Sequence, residues 1–301
     1  MKNVLLKLLL VVLMVNTASV SSQEWMTNLE IAQALAKVQN KMVLMVWEET
    51  TTYQYPVVAK DESGRTIFIN NLFEDENVSP LIWEHFVPVI VSEYNYADWY
   101  EEIKGKRSQK YIDKFNDDSI KILDINGNIL NVNYYTEDFQ NISTLIERYA
   151  VNTSYIAQEL KDYKNGENFY SAYFLSSKLL DLSLYLNKDS RAEIVEWSNL
   201  YLEEAERLIK GEEQNEHNAL QQRCDLLELQ QELVLKRPRK VIRQLKRLKD
   251  EEIVDSNKAF IAFLYYTAYM SADKSEDAEP WKSQISSVNL KKAQLLINLN
   301  R

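Results

Sequence analysis

Residues 42–47 read Met42-Val43-Leu44-Met45-Val46-Trp47, six apolar side chains in a row between Lys41 and Glu48-Glu49. A run this short and this continuous predicts a strand buried on both faces, because a half-exposed strand alternates and an amphipathic helix repeats every three to four residues. Phe86-Val87-Pro88-Val89-Ile90-Val91 is a second such run. Upstream, Thr27 and Glu30 stand at capping-box spacing, with Leu29, Ala32, Leu35 and Ala36 on one helical stripe, which predicts a lead helix. Downstream, 120–123 and 129–132 flank Asp124-Ile125-Asn126-Gly127, and Asn-Gly supplies the positive dihedrals of a tight hairpin. Between them, 99–115 reads as one charged helix that packs through Tyr100, Ile103, Tyr111, Ile112 and Phe115. The expected order is helix, strand, helix, strand, helix, hairpin.

From about Phe139 the strand signal ends and apolar residues recur at helical intervals. Phe169, Tyr173, Ser177, Leu180 and Leu184 form one stripe. Ile194, Trp197, Tyr201, Ala205 and Leu208 form a second, stopped by Gly211. Phe260, Phe263, Leu264, Thr267 and Met270 form a third. The expectation is an α/β domain over 23–151 and an all-α domain of stacked helical hairpins over 152–301, with the boundary near Asn152-Thr153.

The 301 residues carry a formal net charge of -10, which disfavours a nucleic-acid partner, since phosphate attraction needs a dominant basic surface. Lys2 and Lys7 lead into the apolar run 8–15, too short to span a bilayer but of signal-peptide length, so 1–22 is expected to be a leader cut before Gln23, with Ala18 permitting an earlier cut. The protein is therefore expected to be exported, periplasmic or secreted, and not inserted in a membrane after cleavage. Cys224 is the only cysteine, so no internal disulfide can form. With Leu220 and Leu227 on its face, it reads as a small buried apolar residue, the alternative being a link to another chain.

Residues 24–151 resemble the exported bacterial thioredoxin-like family. Lys41-Met42-Val43-Leu44-Met45-Val46-Trp47 matches the family's passage from lead helix to central strand. Leu72-Phe73-Glu74-Asp75-Glu76-Asn77-Val78 with Phe86-Val87-Pro88-Val89 looks like its acidic link, capped helix and next strand. Ile122-Leu123-Asp124-Ile125-Asn126-Gly127-Asn128-Ile129-Leu130 looks like its terminal hairpin. The resemblance places the family's Cys-x-x-Cys pair at Thr52-Tyr53-Gln54-Tyr55, where neither end carries sulfur, and its cis-proline at Asp118-Ser119. Thiol exchange needs an attacking thiolate and a resolving thiol, so a hydroxyl and a phenol cannot perform it. The segments 53–59 and 65–69, about Lys60-Asp61-Glu62-Ser63-Gly64, read as strand, turn and strand in place of the family's active-site helix, or else as an irregular loop. The helical half resembles a tetratricopeptide-like array without a fixed-period motif.

Other chemistry is sparse. His85 and His217 are far apart and no metal-ligand spacing occurs, so neither metal nor cofactor is expected. Glu48 and Glu49, as neighbours on an extended segment, would point to opposite faces. Asp117-Asp118 fits loop capping better than acid–base work. No Gly-x-Ser-x-Gly elbow and no Gly-rich phosphate loop is present. The basic stretch from Lys236 to Lys249 keeps Val241, Ile242, Leu245 and Leu248 on an apolar stripe, which predicts a helix with a solvated outer face offset by Glu203, Glu204 and Glu206, the alternative being contact with an anionic membrane surface or an acidic partner. Trp47, Thr52, Tyr53, Tyr55, Asp118 and Ser119 gather at the former redox end and form the candidate binding face, with packing against the second domain as the alternative for the aromatics. These observations point to a non-catalytic binding or scaffolding protein whose partner is another protein. A redox accessory acting through Cys224 is the alternative.

Overall fold

The computed structural model describes residues 24–132, 139–249 and 253–301. The leader expected over 1–22 lies outside them. Helix α1 (Leu29–Gln39) starts on Asn28, whose side chain accepts the Ile31 N–H at 3.0 Å. The capping box expected from Thr27 and Glu30 gives way to a simple cap on Asn28, whose third residue on, Ile31, has no side-chain acceptor to return the bond. The helix ends on Asn40 in the left-handed region, φ 55°. Its buried residues are Ala32 and Ala36, small enough to let the helix lie close on strands β1 (Met42–Trp47) and β4 (Phe86–Val91).

All six residues of β1 are buried, as a strand covered on both faces requires. Strand β1 runs parallel to β4, from Met42 opposite Phe86 to Trp47 opposite Val91. It runs antiparallel to β5 (Lys121–Leu123), with Val43 opposite Leu123. The sheet order is β4-β1-β5. Leu123 bridges Ile129, and Leu130 N–H reaches the Ile122 carbonyl at 2.8 Å, so the expected hairpin about Asn126-Gly127 is present in shortened form.

Strands β2 (Val57–Lys60) and β3 (Thr66–Ile69) form an antiparallel hairpin. Asp61 Oδ1 accepts the Ser63 and Arg65 amides at 2.9 Å, and Gly64 takes φ 76°, which closes the turn. The strand-turn-strand expectation for this segment holds, and the irregular loop does not occur. Strand β6 (Gln140–Asn141) pairs parallel with β2, completing a second three-stranded sheet. Helix α2 (Val78–His85) leads into β4, its start held by Asp75 Oδ1 accepting the Asn77 and Val78 amides.

Two local expectations are corrected. The charged stretch 99–115 is two helices, α3 (Tyr96–Ile103) and α4 (Gln109–Asn116), because Gly105 at φ 71° breaks the first and Ser108 caps the second. Glu48 and Glu49 are not extended but open a 3-10 turn over Glu48–Thr52. The hydroxyls of Thr50, Thr51 and Thr52 each bond the carbonyl three residues back, an alternative to strand pairing that a threonine run offers.

The remaining α-helices of the described residues are α5 (Ile142–Tyr149), α6 (Ala157–Asn165), α7 (Phe169–Ser183), α8 (Lys188–Leu208), α9 (His217–Val234), α10 (Pro238–Leu245), α11 (Lys258–Ser271), α12 (Ser275–Lys282) and α13 (Ser287–Asn300). The most extensive pairing is α7 with α8, which fold back on each other across a short link. The buried hydroxyls of Ser176 and Ser198 meet there at 2.9 Å. It is Ser176 and not Ser177 that faces inward, because α7 is covered on more than one side. Helix α10 buries Val241, Ile242 and Leu245 beneath its basic outer face, as expected. Its counter-charge, however, is Glu232, which pairs with Arg237 at 3.3 Å and Lys240 at 2.9 Å, whereas Glu204 pairs with Arg107 at 2.9 Å.

The α/β region and the helices share one continuous hydrophobic core. Trp197 and Tyr201 of α8 both reach the buried Asp124 carboxylate in the hairpin turn, at 2.9 and 2.7 Å. Thr153 N–H bonds the Asn40 carbonyl at 3.0 Å at the end of α1. Among the described residues no helix is long and apolar enough to cross a membrane.

Candidate functional site

The carboxyl ends of the parallel strands β1 and β4 lie side by side, the position where open α/β sheets expose loops able to receive a ligand. Trp47, the last residue of β1, is buried, and its indole N–H donates to the Phe115 carbonyl at 3.1 Å. Tyr96, Trp99 and Phe115 surround its ring, with centroids at 5.9, 6.0 and 5.5 Å. Trp47 is thus an anchor for α3 and α4, not an accessible contact.

Beneath it lies a charged cluster that the sequence pattern did not single out. Lys121, at the start of β5, has a fully buried side chain whose ammonium sits 5.7 Å from the Trp47 ring centroid. It donates to the Asp117 carbonyl at 2.5 Å, the Ser119 carbonyl at 3.0 Å and Asp117 Oδ1 at 3.3 Å. Burial pushes its pKa down to about 8, against the opposing pull of the Asp117 charge. Lys114 of α4 is also buried; it donates to the Ser119 hydroxyl, and burial lowers its pKa too. The Ser119 amide and hydroxyl both donate to Asp117 Oδ1. Two ammoniums therefore share one carboxylate and a loop of carbonyls, which fixes residues 117–119 from below. Asp117 is committed to this packing through its bonds to Ser119 and Lys121.

Tyr55 holds the same loop from the other side. Its hydroxyl donates to the Asp118 carbonyl at 3.2 Å and accepts from Gln140 Nε2 at 2.9 Å. Gln140 Oε1 in turn accepts the Ile120 amide at 3.1 Å. Burial holds the phenol well above its ordinary pKa. The structure thus joins Trp47, Tyr55, Asp118 and Ser119 into one network. Thr52 is not in it, since its hydroxyl is spent on the Glu49 carbonyl at 2.7 Å. Tyr53 stands 70 % exposed. Glu49 N–H donates to Glu93 Oε1 at 2.8 Å, tying the loop after β1 to the loop after β4, where Tyr94 is 95 % exposed. The accessible aromatics at this end are therefore Tyr53 and Tyr94, and the second was missed because nothing in its neighbourhood marks it as a loop tip.

A cavity of about 270 Å³ opens on the face of β5 that carries Lys121 and Leu123, lined also by Met45, Trp99, Tyr111 and Phe115. Tyr111 closes it, its hydroxyl accepting the Ile129 amide at 2.9 Å and its pKa pushed up to about 12 by burial. Lys114, Lys121 and Gln140 also escaped the sequence pattern; the available signal was Lys121 within the apolar run Ile120-Lys121-Ile122-Leu123, a placement that needs a buried partner. Cys224 lies in α9, fully buried, and burial with the nearby charges of Glu206, Asp225 and Glu228 pushes its thiol up to about 12. Among the described residues no group of three or more His, Cys, Asp or Glu is placed to hold a metal ion. No family model, no curated protein and no solved structure matches this chain.

Proposed function

We propose that the chain is an exported, non-catalytic binding or scaffolding protein built on a thioredoxin-like fold that lacks its thiols. The fold reading is supported by the crossover from β1 through α2 to a parallel β4, followed by the antiparallel pair of β5 and Ile129. The observation that carries the functional reading is the fate of Thr52 and Tyr55. One spends its hydroxyl on a turn carbonyl; the other is a protonated phenol clamped between Asp118 and Gln140. Neither oxygen can accept or deliver the electrons of a disulfide. The Cys224 alternative finds no support in a buried thiol held protonated, since the thiolate is the reacting species.

What this end of the molecule offers is surface: Tyr53 and Tyr94 on two linked loops, rigid side chains of large contact area and small entropic cost. The partner is another protein. Insulin reduction by the purified protein with fresh dithiol should not exceed the buffer rate, and a rate that Cys224→Ala abolishes overturns the reading. Crosslinking in the periplasm should give a partner band that Tyr53→Ala with Tyr94→Ala removes; equal recovery sinks the aromatic face. Export is checked by the amino terminus of the periplasmic protein, expected at Gln23.

A further inference from the structure

A cavity of about 320 Å³ opens between α7 and α9, remote from the network around Lys121. One wall is aromatic. Phe169 stacks on Tyr173 with centroids 5.6 Å apart, Tyr170 stacks on Phe174 at 6.3 Å, and Tyr173 meets Phe174 edge-on at 5.9 Å. Phe174 is 54 % and Tyr170 42 % exposed, so this wall is open to solvent.

Facing it is Arg223, whose guanidinium carbon lies 5.5 Å from the Tyr173 ring centroid. One of its N–H groups reaches Asn257 Oδ1 at 3.4 Å. Asn257 is itself fully buried and anchored by the Ala219 carbonyl at 2.9 Å and Gln222 Oε1 at 3.1 Å. The guanidinium is thus aimed by the Tyr173 ring and its hydroxyl and by a fixed amide, and among the described residues no carboxylate stands within ion-pair distance of it. An oriented fork with donors to spare beside an aromatic platform is built to receive a planar anion. Glu216 lines the same groove, its Oε2 accepting the Tyr170 hydroxyl at 3.4 Å, and Glu212 adds a second negative charge near that phenol. Those charges oppose a dianion such as a phosphate ester more strongly than a singly charged carboxylate.

We infer that this groove binds a monocarboxylate carrying an aromatic or flat apolar group, with the carboxylate on Arg223 and the ring against Phe174 and Tyr170. The volume lies at the lower end for ligand pockets and suits one ring with its acid group. A free aromatic acid and the last residue of a polypeptide share this chemistry.

The test is calorimetric titration of the full protein with N-acetyl-tryptophan, its carboxamide, phenyl phosphate, and an octapeptide ending in tryptophan with a free carboxyl group. N-acetyl-tryptophan should bind one to one, and the carboxamide about tenfold or more weaker, since a charge-assisted pair is lost. Arg223→Gln should weaken the acid to the level of the amide while leaving the amide unchanged, and Phe174→Ala should weaken both alike. The melting temperature of Arg223→Gln reports whether it folds, and Phe174, half in solvent, gives a second variant that cannot open the core. An octapeptide that binds more tightly than the acid identifies a chain end, and equal affinity identifies a free acid. The inference is overturned by an acid that does not saturate, by an amide that binds as tightly, by Arg223→Gln without effect, or by phenyl phosphate binding more tightly than the carboxylate.

Discussion

Tyr201 donates its hydroxyl to Asp124 Oδ2 at 2.7 Å, from the middle of α8 into the turn that follows β5. The same carboxylate accepts the Trp197 indole N–H at 2.9 Å and the Asn126 and Asn128 amides at 2.9 and 3.0 Å. Arg107 extends the contact, bonding Asn128 Oδ1 at 2.7 Å and pairing with Glu204 of α8. The hairpin end and the helical array are therefore locked by one buried, well-satisfied anion. Tyr201→Phe keeps the edge-to-face contact with Tyr163 but loses the charged hydrogen bond, and should lower unfolding free energy by about 2 kcal/mol. Asp124→Ala should be the more damaging, by about 3 kcal/mol or more, because it strands an indole, a phenol and two amides together. Urea unfolding of both variants decides it, and the reverse order would show that the carboxylate is not the hub.

Much of this architecture was legible because its signals are local. Met42 to Trp47 reads as a doubly covered strand from six side chains, and Asn126-Gly127 marks the turn by itself. The break at Gly105 was hidden because apolar residues on both sides kept one helical rhythm. The seam at Asp124 and the Lys114, Lys121 and Asp117 cluster were hidden for a different reason. Each joins residues from separate elements, and a lone Asp in a turn or Lys near a strand end looks the same whether it is solvated or buried. Tyr55 stands out in the sequence as an aromatic, but its partners Asp118 and Gln140 are 63 and 85 residues away, and only the fold brings them together.

The Lys121 ammonium gives stability a particular dependence on pH. Its folded pKa, about 8, lies below its unfolded value, so between pH 8 and about 10 the unfolded chain binds a proton that the folded one has released. Stability contributed at this site therefore rises with pH across that window, by at most about 1.4 kcal/mol per pH unit. Lys114 acts in the same sense. Cys224 and the buried phenols Tyr55, Tyr111 and Tyr201 act oppositely, since their folded pKa values are raised and stability falls once the unfolded groups ionise, from about pH 9 for the thiol and 10 for the phenols. Comparison with Lys121→Met isolates the lysine: wild-type stability minus variant stability should grow from pH 8 to 10. A difference that shrinks would mean the amine does not carry a burial penalty.

Tyr53 and Tyr55 are two residues apart and should behave oppositely. Tyr53→Ala removes a side chain that is mostly in solvent and should leave the melting temperature unchanged, within about 0.5 kcal/mol. Tyr55→Phe removes a hydroxyl that both donates and accepts, leaving the Asp118 carbonyl and Gln140 Nε2 without it, and should cost about 1 kcal/mol. Thermal melts of the two single variants separate a surface contact from a structural clamp. A stability loss for Tyr53→Ala would place that ring in the packing of the loop and remove it from the proposed recognition face.

Cys224 offers the sharpest check on the proposal that the protein performs no redox chemistry. In α9 it is fully covered, with buried Leu220 and Leu227 on its own helical face, and its thiol is pushed up to about 12 by burial first and by neighbouring carboxylates second. At neutral pH the folded protein then holds almost no thiolate, and the little it holds has no path to solvent. A chromogenic disulfide reagent should leave the native protein unlabelled over hours and label one thiol per chain within minutes in concentrated urea. Rapid labelling of the native state, at a rate independent of added denaturant, would show that α9 opens far more readily than its packing implies and would return the mixed-disulfide alternative to contention.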